Sequence, residues 1–314
     1  QPLRINGKKI EFGIGAHANS VIHYVLAKGH RYQTFQATGG IDNGGSDQKG
    51  GRDSSVQFFV SDKPILLSRI AKASAEIPQV DHFPPDQLIV SQGLEVKLWA
   101  KSPLFYNPTN MDIDLKGRIW VAEGRNYRGR RTQEDGDRIV VVEDKDRDGI
   151  AESSHVFVQE KTFLSPLGIA VVDNKIIVSQ PPDLIVYTDV NRNLRFEPET
   201  DKREVLLTGF DGKNHDHSLH SVTVGPNGQY YLNFGNKGAQ VTDKDGWQLN
   251  AGSFYSMKNI SGKPSSDGQV YLGGVAFRVN QDGSGLRPIG HNFRNSYEQA
   301  VSSLGDVFQN DNDD

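Results

Sequence analysis

Residues 214–238, NHDHSLHSVTVGPNGQYYLNFGNKG, decide how this chain is read. His215, His217 and His220 fall within six residues, followed by the alternating run SVTV, a Gly225-Pro226-Asn227-Gly228 turn and the apolar run QYYLNF. β-Branched and aromatic residues on both sides of a Pro-Asn-Gly turn predict an antiparallel hairpin. The histidines then occupy the loop that feeds its first strand, at one end of a sheet, where a rigid β scaffold commonly carries chemistry. Imidazole titrates near neutral pH and suits proton transfer. The plainer reading is a solvated polar loop, or a histidine held as a structural partner of the adjacent Asp216.

Three other segments repeat the plan: residues 110–124 (NMDIDLKGRIWVAEG), 167–181 (LGIAVVDNKIIVSQP) and 298–311 (EQAVSSLGDVFQND). Each is an alternating strand, a turn and a second β-rich strand, and the turn residues Gly117, Asn174, Gly228 and Gly305 are spaced by 57, 54 and 77 positions. A hairpin recurring at such intervals predicts propeller blades, about four of them. Propellers normally close with more, because an open array exposes sheet edges. With the chain ending at Asp314 just after a strand, the expectation is an incomplete β-propeller, a piece of a longer protein.

Upstream, residues 2–63 hold short alternating runs (KKIEFGIG, SVIHYVLA, YQTFQATG, SSVQFFVSD) between glycine-rich turns, as in a small antiparallel sandwich. Residues 64–86, with Pro78, Pro84 and Pro85, read as a linker. The expected organisation is therefore all-β: a jelly-roll sandwich over 1–63, a linker over 64–86 and a partial propeller over 87–314. The 314 residues include 33 glycines and 14 prolines, as a turn-rich β protein requires. No apolar run approaches the roughly 18 residues of a membrane span. A net charge of −4 without a basic stripe excludes a nucleic-acid partner. The absence of cysteine excludes disulfides, zinc-thiolate sites, covalent haem attachment and thiol catalysis within these residues. A start at Gln1, without Met or a signal peptide, fits a mature form or a fragment.

Two acidic loops stand out. Asp144, Asp146, Asp148 and Glu152 take relative positions 1, 3, 5 and 9, and Asp189, Asn191, Asn193 and Glu197 repeat that spacing. Oxygen ligands at alternate positions suit a hard cation such as calcium; a solvated turn has the same residue types. Position 12, where a helix–loop–helix hand requires a bidentate Glu, is His155 in one and Thr200 in the other. Arg125, Arg128, Arg130 and Arg131 form a cluster able to clamp carboxylates or phosphates, or to pair with Glu134, Asp135 and Asp137 in an exposed loop. Arg294-Asn295 stands on the same kind of blade connection as the histidines, and such connections converge near the central channel.

Residues 1–63 resemble the NPCBM family of carbohydrate-binding jelly rolls, through Gly13-Ile14-Gly15-Ala16-His17-Ala18-Asn19-Ser20 and Gly40-Ile41-Asp42. The resemblance implies a sugar ligand, with His17 and Asp42 as candidate contacts or as residues bracing the sandwich. From about residue 86 the chain resembles the propeller of the membrane-bound-dehydrogenase proteins of planctomycetes, distantly similar to quinoprotein glucose and sorbosone dehydrogenases. Residues 144–149, 204–210 and 217–226 and Phe293-Arg294-Asn295 carry that resemblance. It implies oxidation of a sugar or alcohol, with His217, or its neighbour His220, as general base. It also implies Arg294, Asn295 and Arg125 toward pyrroloquinoline quinone, and a polarising calcium. The Pro and Gly that follow the Arg-Asn pair in those relatives are Ser296 and Glu298 here. It further implies a periplasmic, cell-surface or secreted location and, in fuller chains, a downstream cytochrome c domain. A non-catalytic glycan- or partner-binding propeller with structural calcium, and a calcium-dependent lactonase or hydrolase, remain as alternatives.

Overall fold

A computed structural model describes residues 4–5, 8–9, 90–128, 131–212 and 216–312. The chain divides into two units, Gln1–Asp81 and His82–Asp314. In the first, β1 (Arg4–Ile5) pairs antiparallel with β2 (Lys8–Lys9). His17, Asp42 and the rest of the expected sandwich lie outside the described residues. Residues 64–81, read from composition as linker, fall within this first unit.

The second unit is all-β among the described residues. β3 (Pro108–Ile113), β4 (Ile119–Glu123), β5 (Arg138–Glu143) and β6 (Ser153–Gln159) form one antiparallel sheet in chain order. β7 (Gly168–Val172), β8 (Lys175–Gln180), β9 (Asp183–Thr188) and β10 (Lys202–Thr208) form the next in the same way. A third joins β11 (Leu219–Val224) and β12 (Tyr230–Phe234) to β16 (Gly274–Val279) and β17 (Arg287–Phe293). Between β12 and β16 the chain leaves to build a separate three-stranded sheet of β13 (Ala239–Thr242), β14 (Gln248–Gly252) and β15 (Tyr271–Leu272). That excursion accounts for the wide spacing of 77 positions before the last hairpin. β18 (Gln299–Val301) and β19 (Val307–Gln309) are the inner hairpin of a fourth blade. The expected four units are thus three complete blades and one hairpin among the described residues.

Alternation along the central strands explains the stacking. Trp120 and Ala122 on β4 face Ile176, Val178 and Tyr187 of the second blade, while Val121 faces Trp99, Ala100 and Leu104 of the segment leading into the first. The second and third blades meet through Ile177, Val186, Leu232 and Phe277. Ala239, Val241, Leu249 and Ala251 bring the inserted sheet into that same core. Gly117, Gly228 and Gly305 sit at matching turns of three inner hairpins with φ of 82°, 76° and 90°, a backbone region that side chains disfavour.

Because successive strands reverse, their connections divide between two ends. Turns joining first to second and third to fourth strands emerge at one end, here called the hairpin end. Loops joining second to third strands, and blade to blade, emerge at the other, the crossover end. Ion pairs agree with that division. Arg192 pairs with Asp173 at 2.6 Å across two loops of the hairpin end. Arg128 pairs with Asp216 at 3.0 Å across two loops of the crossover end.

Candidate functional site

His217 lies just ahead of β11, and its Nδ1 is 2.7 Å from Oδ1 of Asn236, in the loop after β12. A carbonyl oxygen only accepts, so in this contact Nδ1 is the donor. The Asn236 backbone N–H donates to the Arg294 carbonyl at 2.8 Å, and the Lys237 N–H to the His217 carbonyl at 3.1 Å. Gly235 makes this approach possible, since a Cβ there would stand 2.6 Å from Asn295 Oδ1 and 2.8 Å from the His217 carbonyl. Three connections, before β11, after β12 and after β17, therefore meet at one point. The His217 loop and the backbone of Arg294-Asn295 are thus neighbours.

His220 stands in the same neighbourhood but faces inward. It is fully buried, with Nδ1 2.7 Å from the Ser296 carbonyl and Nε2 beside the Asp216 carbonyl. Its ring stacks on Tyr297 at 4.9 Å, and the Tyr297 hydroxyl reaches the carbonyls of Thr109 and Leu167 at 2.5 and 3.0 Å. This pair knits the inner strands of neighbouring blades together. Burial pushes the His220 pKa below its ordinary value, against its backbone acceptors, and raises that of the Tyr297 phenol.

The arginines divide by role. Arg128 holds Asp216 and donates from Nε to the Tyr127 hydroxyl oxygen at 2.8 Å. Arg125 lies over the Tyr106 ring at 4.9 Å, while its backbone N–H donates to Asp137. Arg131 donates to the carbonyls of Glu134 and Lys161 rather than to the acids. Arg130 and His215 lie outside the described residues. Arg294 and Asn295 donate backbone N–H groups to Asp311 at 2.7 and 2.9 Å, and the buried Asn295 Oδ1 has no hydrogen-bond partner.

Asp137, expected as an exposed partner of the arginines, is instead a buried support of the backbone. Asp137 is fully buried and accepts from the backbone N–H groups of Arg125, Asn126 and Ser165. Burial raises its pKa against those donors. Its only local signal is its place after Gly136 at the start of β5. Asn236 carries a weaker one, an amide just beyond the glycine that ends a strand.

At the hairpin end, Asp144, Asp146, Asp148 and Glu152 each bring a carboxylate oxygen within 4.8 Å of the others. Arg147 and Gly149 adopt positive φ, and Arg192 and Leu194 do so at the same places in the second loop, so the two share one backbone path. Asp144 Oδ2 accepts from the Gly149 N–H at 2.9 Å, and its Oδ1 is buried without a partner. The Asp148 N–H lowers the pKa of Asp146, but its bond to Glu152 and that carboxylate's charge raise it overall. Glu152 moves down, chiefly through the Lys145 N–H. Crowded carboxylates and an orphaned oxygen fit a hard divalent cation. The second loop differs. Glu197 Oε2 accepts from both Asn191 and Asn193 side chains at 2.8 Å, closing the loop on itself with Asp189 capping the Asn193 and Leu194 N–H groups. His155, at position 12 of the first loop, reaches the Leu194 carbonyl of the second at 3.1 Å.

One expectation needs correcting. The resemblance implied a calcium that polarises a cofactor near His217 and Arg294, but strand reversal puts the acidic loops at the opposite end of the sheets from both residues. Both loops join third to fourth strands, whereas His217 and Arg294 stand on blade-to-blade connections.

An all-β unit built of consecutive four-stranded antiparallel sheets is the class these observations define. Residues 85–314 match the family described as "Domain of unknown function (DUF7133)", and the chain belongs to that family. Residues 1–81 match the NPCBM/NEW2 domain, as the sequence reading expected at this end of the chain. No curated protein matches. Among solved structures, the chain is similar to the holo PQQ domain of pyranose dehydrogenase from Coprinopsis cinerea, at 16% identity and a TM-score of 0.39. That match covers 65% of this chain and 43% of the other. It is also similar to a Trichoderma reesei carbohydrate-active enzyme of family AA12, at 10% identity and a TM-score of 0.32, covering 74% and 96% of the two chains. A streptogramin B lyase matches at 13% identity and a TM-score of 0.26, over 64% and 53%. The chain thus spans less than half of the pyranose dehydrogenase domain's length. At such identities and scores these likenesses assign no function.

Proposed function

We propose that this is an extracytoplasmic, carbohydrate-directed oxidoreductase whose propeller binds a sugar or related alcohol at the crossover end. The observation carrying this reading is the His217–Asn236 hydrogen bond of 2.7 Å, set where the Arg294 connection arrives. Asn236 holds the ring in the tautomer whose Nε2 accepts the hydroxyl proton, the role of a general base. Guanidiniums suit carboxylates, so Arg294 and Arg125 would hold an anionic cofactor such as pyrroloquinoline quinone. That group, when bound, supplies the hydride acceptor. Calcium from the acidic loops does not fit beside it, so the cation assigned to Asp144, Asp146, Asp148 and Glu152 is structural. The first unit holds the sugar chain through His17 and Asp42, and a downstream cytochrome c domain receives electrons in the fuller protein.

The test is sugar oxidation with a dye acceptor and added quinone. His217→Ala should lower the rate by about 10²–10⁴-fold, the usual contribution of a general base. Activity unchanged in that variant would remove the reading. A second reading, a non-catalytic glycan-binding propeller, is favoured by the distance of the cation loops from His217. Absence of oxidation alongside retained sugar binding would select it. A calcium-polarised lactonase has less support, because among the described residues no imidazole of the crossover end faces those acids.

A further inference from the structure

Beside the His217 cluster the inserted sheet presents a loop that the proposed chemistry does not use. Between β14 and β15, Phe254 is 92% exposed and Tyr255 76% exposed, two large aromatics in succession. Their loop is held in place. Ser253 Oγ donates to the Asn236 carbonyl at 2.7 Å and accepts from the Tyr255 and Ser256 N–H groups at 3.1 and 3.2 Å. Ser256 Oγ donates to Asp211 at 2.5 Å, and the Ile260 and Ser261 N–H groups close on the Met257 carbonyl at 2.8 and 2.9 Å. Ser253, Phe254, Lys258 and Ser261 line a shallow cavity of about 290 Å³.

We propose that Phe254 and Tyr255 form a stacking subsite for a pyranose ring of an oligosaccharide that reaches the His217 end. The apolar C–H face of a pyranose carries partial positive charge and lies well on the electron-rich face of an aromatic ring. Its hydroxyls then meet the Ser261 hydroxyl and the Lys258 ammonium at the rim, polar groups that a purely apolar partner would leave unpaired. Continuity supports a saccharide. Ser253 bonds the backbone of Asn236, whose side chain orients His217, so one chain of sugar units can span both. This rests on the carbohydrate reading above, but not on oxidation.

The test is calorimetric titration of the 314-residue chain with cellohexaose, xylohexaose, mannohexaose and laminarihexaose. Both aromatics are solvent-exposed, so Phe254→Ala/Tyr255→Ala leaves the core untouched, which an unchanged melting temperature checks. It should weaken one class of sites for at least one oligosaccharide by about tenfold or more. Tyr255→Trp should keep that affinity, with its added indole emission shifting blue on binding. Equal affinities in the double variant, or no binding by any of the four, would overturn the proposal. Reduced self-association with unchanged sugar binding would also overturn it and assign the pair to contacts between copies. Sugar binding lost in the variant without any oxidation by the parent would count against the oxidoreductase reading alone.

Discussion

His217 and His220 are three positions apart and do different work, because β11 turns one toward its loop and the other into the core. The sequence placed both at the head of a strand, but their partners, Asn236, Ser296 and Tyr297, come from connections far along the chain. Only Asn236 has a local signal, the amide that follows Gly235; Ser296 and Tyr297 have none. Asn236→Ala should cut turnover about tenfold or more while leaving the fold intact, since it frees the ring without removing it; a thermal melt alongside the rate measurement checks this. For His220, burial holds the folded pKa below the unfolded 6.5. The unfolded chain then binds the extra proton, so this contribution to stability is full above 6.5 and is lost as pH falls toward the folded pKa. The melting temperature should decline from pH 7 to 5, and ring NMR should show His220 neutral below 6.5. Asp137→Ala leaves buried N–H groups unsatisfied and should cost about 3 kcal/mol, read by denaturant unfolding.

At the scale of elements, the inner hairpins were legible because alternation, a turn residue and a second strand occur within a dozen or so positions. The outer strands and the inserted sheet were not. β10, KREVLLT, has a solvent-facing pattern with no strong alternation, and the insertion showed only as an overlong interval. Its packing into the main core makes it a part of the third blade's stability. Leu249→Ala should therefore destabilise the unit by about 2–5 kcal/mol, as a core truncation does. The two acidic loops were found from spacing alone, but spacing could not separate four carboxylates from an acid tied to two amides. Calcium should stabilise the parent by about 2.7 kcal/mol at a hundredfold excess over Kd, read as a rise in melting temperature. Asp146→Asn/Asp148→Asn should abolish that rise, and Asn191→Ala should not.

Across the second unit, one topological fact organises the chemistry: strand reversal sorts every connection to one end or the other. A linear reading sees acidic loops and histidine loops as neighbours, since each follows or precedes a strand. In three dimensions the acidic loops lie at the hairpin end and the imidazole cluster at the crossover end. The most direct test is a titration of the chain with pyrroloquinoline quinone in calcium-containing buffer, followed by tryptophan fluorescence. Saturable binding that Arg294→Ala weakens about tenfold or more, and that Asp146→Asn/Asp148→Asn leaves unchanged, is the predicted result. Binding abolished by the acidic-loop variant would contradict the separation of the two ends, and no saturable binding by the parent would contradict the quinone assignment itself.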